Sequence, residues 1–115
     1  MFQDDVARVG FSLEAAQNGN HKMEAVAETK LLESNVEKSG FLVAGPQKAK
    51  RLIHKEYQRK PLTLCGTVMK EETEMKYLGD WISSSGLAES VALTVRRRRG
   101  LATLSIYETR SIIED

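Results

Sequence analysis

The chain opens with Phe2-Gln3-Asp4-Asp5, followed at once by the run Val6-Ala7-Arg8-Val9. Two adjacent carboxylates joined to a strand-like run are one way to hold catalytic divalent ions. Mg²⁺ takes hard oxygen ligands and keeps much of its water, so a few carboxylates suffice. The chemistry such a pair serves is in-line displacement at phosphorus, where two ions stabilise the attacking and the leaving oxygen. An Asp-Asp pair standing alone is more simply a turn or a helix cap. A metal-binding turn belongs between two strands, and almost nothing precedes this one. The strand is therefore expected to lack its hairpin partner and to leave a raw edge prone to self-association.

A second feature with chemical content is Arg96-Arg97-Arg98-Arg99. Four consecutive arginines point around a helix, so two or three of them can contact phosphates, giving salt-dependent, sequence-independent binding. A solvated basic face or a nuclear-localisation run is the plain alternative. His21 and His54 have no metal-ligand spacing to each other or to Cys65. Cys65 is the single cysteine, so no internal disulfide forms and a reducing intracellular compartment is expected. In a strand-like run and without a His partner it reads as a small core residue. No phosphate-cradling Gly loop of the Walker type is present.

The elements that must position these residues follow from the apolar pattern. Residues 2–11 read as a strand. Ser12 is placed to cap a helix, and Ala16, Met23, Ala27 and Leu31 give that helix one apolar face ending near Glu33. Asn18-Gly19-Asn20 predicts a kink or break in its middle. Residues 40–45 form a continuous apolar run between glycines, which predicts a buried strand. Beyond Gly45-Pro46, Ala49, Leu52, Ile53 and Tyr57 predict a second helix surrounded by Lys48, Lys50, Arg51 and Lys55. Residues 62–65 and 67–69 flank Gly66 as a strand pair, and 75–82 are strand-like. Leu87, Val91, Val95 and Leu101 predict a third helix interrupted by Gly100, and 106–115 begin a further apolar segment. This order predicts an α+β domain with helices on one face of a mostly antiparallel sheet.

The 115 residues make about one small domain. Charge is uneven. Residues 1–35 hold six acidic and three basic side chains, and 36–115 hold ten acidic and fourteen basic ones. An acidic start and a basic remainder suit a phosphate-bearing partner. No apolar run approaches the roughly 20 residues of a membrane span, and the N-terminus does not read as a signal peptide. A cytoplasmic or nuclear location is expected.

At this point the chain resembles a known family. Phe2-Gln3-Asp4-Asp5 is similar to the aromatic-x-Asp-Asp signature of reverse transcriptases, although Gln3 departs from the commoner Ala or Met. Asn35-Val36-Glu37-Lys38-Ser39 is similar to the Asn-x-x-Lys-Ser/Thr segment that follows the catalytic turn. Lys76-Tyr77-Leu78-Gly79 resembles the Tyr-Leu-Gly segment of the primer-grip hairpin in non-LTR (LINE-type) retrotransposon enzymes. The basic stretch after Leu87 falls where the thumb begins.

The resemblance implies a partial polymerase palm over 1–83, including the primer grip, and the start of a helical thumb over 84–115. It implies that Asp4 is the main ligand of Mg²⁺ or Mn²⁺, that Asp5 supports the site and that Phe2 packs beneath it. It gives Lys38 a general-acid role toward departing pyrophosphate. Gln3, Tyr77, Leu78, Gly79 and Arg96, Arg97, Arg98 and Arg99 are the implied contacts to an RNA template and DNA primer. Trp81, nearby, reads better as a buried strand aromatic. A palm also needs an earlier metal-binding aspartate and fingers, so the chain is expected to need a missing N-terminal half and not to polymerise alone. Two other readings stand beside this one: a small basic nucleic-acid-binding module, and a helical interaction protein.

Overall fold

The computed structural model describes residues 3–85 and 102–111. The first strand, β1 (Gln3–Gly10), leads into helix α1 (Leu13–Thr29). Ser12 caps α1 as its position predicts: its Oγ accepts a hydrogen bond from the Ala15 amide at 3.0 Å. The helix runs unbroken through Asn18-Gly19-Asn20. The Arg8 side chain lies against Gly19, where a Cβ would come within 2.7 Å of its Cδ and would push that side chain aside. Asn20 is fully buried, and its amide donates to the Thr63 carbonyl at 2.9 Å. The side chains that lower helix propensity are thus held by tertiary contacts, which override propensity.

Strand β2 (Leu32–Ala44) begins directly after Leu31, which turns the chain with a φ of 55°. The expected helix end near Glu33 therefore falls inside a strand. Helix α2 (Gln47–Arg59) follows Gly45-Pro46. It buries Ile53 and tilts Tyr57 against Phe41, with ring centroids 5.5 Å apart. Leu52, expected on the buried face, is exposed. Short strands β3 (Thr63–Leu64) and β4 (Thr67–Val68) pair around Cys65-Gly66. Next come β5 (Lys70–Glu71) and the hairpin of β6 (Glu74–Tyr77) with β7 (Asp80–Ser83). Both hairpin turns hold positive φ at both central residues, Cys65-Gly66 and Leu78-Gly79. This is the turn geometry that matches strand twist.

The last described strand is β8 (Ala102–Ser111), so residues 102–111 are strand where the start of a helical thumb was expected. It lies inside the main sheet, whose order is β1-β8-β2-β5. It pairs antiparallel with β1 along its length and antiparallel with β2 on its other side, while β5 pairs parallel with β2. The strand of the acidic pair is thus not without a partner, and β1 is an edge strand among the described residues on one side only. The predicted third helix, with Leu87, Val91, Val95 and Leu101, lies outside the described residues.

The sheet is mixed and mostly antiparallel, with one apolar cluster on each face. Under the two helices sit Leu13, Ala16, Met23, Phe41, Val43, Ile53 and Tyr107. On the opposite face Leu42, Ala44, Leu104 and Ile106 pack with Met75 and, through Tyr77 and Ile82, with the β6–β7 hairpin. Among the described residues no helix is long and apolar enough to cross a membrane.

Candidate functional site

Backbone register places the acidic pair. Asp4 stands opposite Thr109, and Asp5 opposite Glu108. On the far side of β8, Thr109 faces Ser34 and Glu108 faces Asn35. Two adjacent cross-strand rows result: Asp4–Thr109–Ser34 and Asp5–Glu108–Asn35. Gln3, Asp4 and Asp5 lie in continuous strand, as the strand reading of residues 2–11 expects, and not in the turn that the resemblance implies. Eight paired positions with β8 extend the backbone through them.

Every residue in the two rows carries oxygen. A hard cation such as Mg²⁺ wants oxygen donors, but Glu108 and Thr109 stand on opposite faces of β8, so the two rows are not one donor set. Among the described residues Ser34 Oγ, which is buried, has no hydrogen-bond partner. Carboxylates on adjacent strands fit a divalent ion in kind. Among the described residues, no three carboxylate, His or Cys side chains gather as a metal cluster.

The segment Asn35-Val36-Glu37-Lys38-Ser39 meets this row through a bulge. Between Asn35 and Gly40 the register of β2 on β8 shifts, so β2 carries extra residues there. Three hydrogen bonds hold the excursion. The Lys38 amide donates to Asn35 Oδ1 at a long 3.4 Å, Ser39 Oγ donates to the Asn35 carbonyl at 2.7 Å, and the Glu108 amide donates to Ser39 Oγ at 3.1 Å. Asn and Ser make such local side-chain bonds readily, which is why they suit an irregular strand. Lys38 leaves the bulge with its ammonium 3.8 Å from Glu108 Oε1. Its side chain is 65 % exposed and that of Glu108 20 %, so the lysine is an exposed cation over a half-buried carboxylate. Glu108 is a site residue that sequence reasoning missed. Its signal was the alternation Leu104, Ile106, Glu108 on one face of a strand.

Tyr77-Leu78-Gly79 form the end of the β6–β7 hairpin. Tyr77 is half-buried against the lower cluster, while Leu78 and Trp81 are exposed. Trp81 is therefore not the buried strand aromatic expected of it. Tyr77 and Ile82 of the hairpin pack on the same cluster as Ala7 and Ile106, and Arg96, Arg97, Arg98, Arg99 and Phe2 lie outside the described residues.

The remaining candidates are structural. His21 bonds Gln17, and His54 pairs with Glu71 at 2.8 Å. Cys65 is exposed at its turn instead of filling the core. Burial, then the nearby Glu24, pushes its thiol above the ordinary value, the direction that suppresses thiolate chemistry. No family model, no curated protein and no solved structure matches the chain.

Proposed function

We propose that the chain forms the C-terminal part of the palm of an RNA-directed DNA polymerase of the non-LTR retrotransposon type. In this reading Asp4 is the main ligand of the catalytic Mg²⁺ ions and Asp5 supports it. Lys38 donates a proton toward departing pyrophosphate, and Tyr77-Leu78-Gly79 face the primer strand. Template-dependent nucleotidyl transfer is the reaction. The bound ions supply Lewis-acid stabilisation of the attacking and leaving oxygens. A further palm aspartate and fingers belong to such an enzyme, so these 115 residues alone are expected not to extend a primer.

One observation carries the reading. The three motif segments, ordered in sequence as in the family, rest on distinct structured pieces, and the row Asp5–Glu108–Asn35 ties the first to the second. The Asn-x-x-Lys-Ser segment is a hydrogen-bonded bulge of β2, separated from the strand of the acidic pair by β8 alone.

Paramagnetic broadening by Mn²⁺ tests it. Amides of β1 and of the Glu108 region are expected to broaden, and Asp4→Asn is expected to abolish the effect. Uniform broadening across the chain, or broadening indifferent to Asp4→Asn, would reject the metal site. The genomic sequence upstream of Met1 gives an independent check. An open or decayed frame encoding another palm aspartate is expected, and an ordinary promoter and leader would count against the polymerase origin.

A further inference from the structure

Helix α2 carries a basic stripe that the polymerase reading does not use. Between Gln47 and Lys60 the chain holds Lys48, Lys50, Arg51, Lys55, Arg59 and Lys60 against a single carboxylate, Glu56. At 3.6 residues per turn, Lys48, Arg51, Leu52, Lys55 and Arg59 fall on one side of the helix. All five are exposed. The opposite side is fixed to the core by buried Ile53 and by Tyr57, whose hydroxyl donates to the Met69 carbonyl at 2.6 Å. The stripe is thus locked facing outward. Among the described residues none of its four cations forms a salt bridge. His54, beside the stripe, is engaged by Glu71. Lys48, Arg51, Leu52, His54, Lys55 and Gln58 together line a shallow surface depression.

We infer that this stripe is a binding surface for the phosphate backbone of double-stranded nucleic acid. Four uncompensated cations held on one helix side complement a regular polyanion. From Lys48 to Arg59 the stripe runs about 16 Å at a rise of about 1.5 Å per residue. That length matches roughly five steps of a duplex, whose phosphates follow each other at about 3.4 Å per strand. A single-stranded ligand would want aromatic stacking platforms. The stripe has none, because Tyr57 is turned into the protein. An anionic membrane would want an apolar face beside the charges. Leu52 is the stripe's only apolar side chain. The contact reads no sequence, since phosphates position and bases specify. It stands without the Asp4 site.

The test is fluorescence anisotropy of the full chain with a short DNA duplex of arbitrary sequence. If the four stripe cations make the contact, raising salt from 50 to 200 mM weakens binding about 100-fold through that contact, from a slope of about −0.9 per neutralised phosphate. The quadruple variant Lys48→Gln, Arg51→Gln, Lys55→Gln, Arg59→Gln, which retains Arg96-Arg97-Arg98-Arg99, is expected to lower affinity at least about tenfold and to flatten the slope by about 3.6. Each single Gln variant is expected to flatten it by about 0.9, which keeps the test decisive should the quadruple variant fold poorly. Asp4→Asn is expected to leave duplex binding intact, so failure here and failure of the metal site are separable. Unchanged affinity and slope in the variants would overturn the inference. So would phosphatidylserine vesicles binding through these residues while duplex binding does not depend on them.

Discussion

Tyr107 is the largest fully buried side chain among the described residues, and its hydroxyl donates to Asn20 Oδ1 in the interior. Asn20 in turn donates to the Thr63 carbonyl and approaches Met69 Sδ at 3.4 Å. One polar knot therefore joins α1, β8 and the β3–β4 hairpin. Tyr107→Phe strands the Asn20 oxygen without a partner, and urea denaturation is expected to show a loss of about 1–3 kcal/mol. Burial also pushes the Tyr107 hydroxyl above its ordinary value. A raised folded-state pKa favours the neutral form in the folded protein. Its stabilisation is therefore complete below about pH 10, the unfolded value, and is lost as pH rises through the folded one. Alkaline titration of stability is expected to be steeper above pH 10 in the wild type than in Tyr107→Phe. Lys38 behaves in the opposite way. Its ion pair is exposed, so Lys38→Ala is expected to shift stability by less than about 0.5 kcal/mol. Any larger change in a polymerase assay of a complete enzyme would then report chemistry, not folding.

The β6–β7 turn places a leucine where the backbone asks for a left-handed residue: Leu78 has φ 52° and Gly79 φ 87°. Asn visits that region more cheaply than a branched apolar side chain does. Leu78→Asn is therefore expected to raise stability by about 0.5–1 kcal/mol, measurable as a higher midpoint of thermal unfolding. Gly66 made the β3–β4 hairpin legible in the sequence, as the Ser12 cap and the apolar repeats did for α1 and α2. Three things were not legible. Residues 75–82 read as one strand-like stretch and are a hairpin that turns at Leu78-Gly79. Leu52 fits the apolar spacing of α2, but the sheet offers that helix room for Ile53 and Tyr57 only. Strand β8 was hidden because its face toward the helices is polar: Thr103, Ser105 and Thr109 are buried beside Tyr107. A strand covered on both sides is expected to read as continuous apolar sequence, and hydroxyl groups satisfied inside the protein break that pattern. The same effect concealed Glu108. The acidic pair was visible by residue type, whereas the strand that aligns it came from a part of the chain read as helical.

Within the fold, the two apolar clusters meet the sheet from opposite sides, and β8 lies inside the sheet between β1 and β2. Amides of Leu104, Ser105, Ile106 and Tyr107 are accordingly expected to be among the slowest to exchange with deuterium, while the outer edge of β1 exchanges faster. Ile106→Ala, which empties a buried position on the hairpin side, is expected to cost about 2–5 kcal/mol in denaturant unfolding. The position of β8 also bears on how the protein is made. The Thr103 hydroxyl bonds the Gly10 carbonyl across 93 residues of chain, and β1 pairs with no described strand but β8. A nascent polypeptide leaving the ribosome can wind α1 and α2 early, because their contacts are local. The strand bearing the two aspartates must wait, unzipped, until the last strand has been synthesised, since pairing between distant segments is slow and leaves edges open meanwhile. Translation arrest before residue 102 would release a chain with both helices and hairpins in place and its acidic strand unpaired.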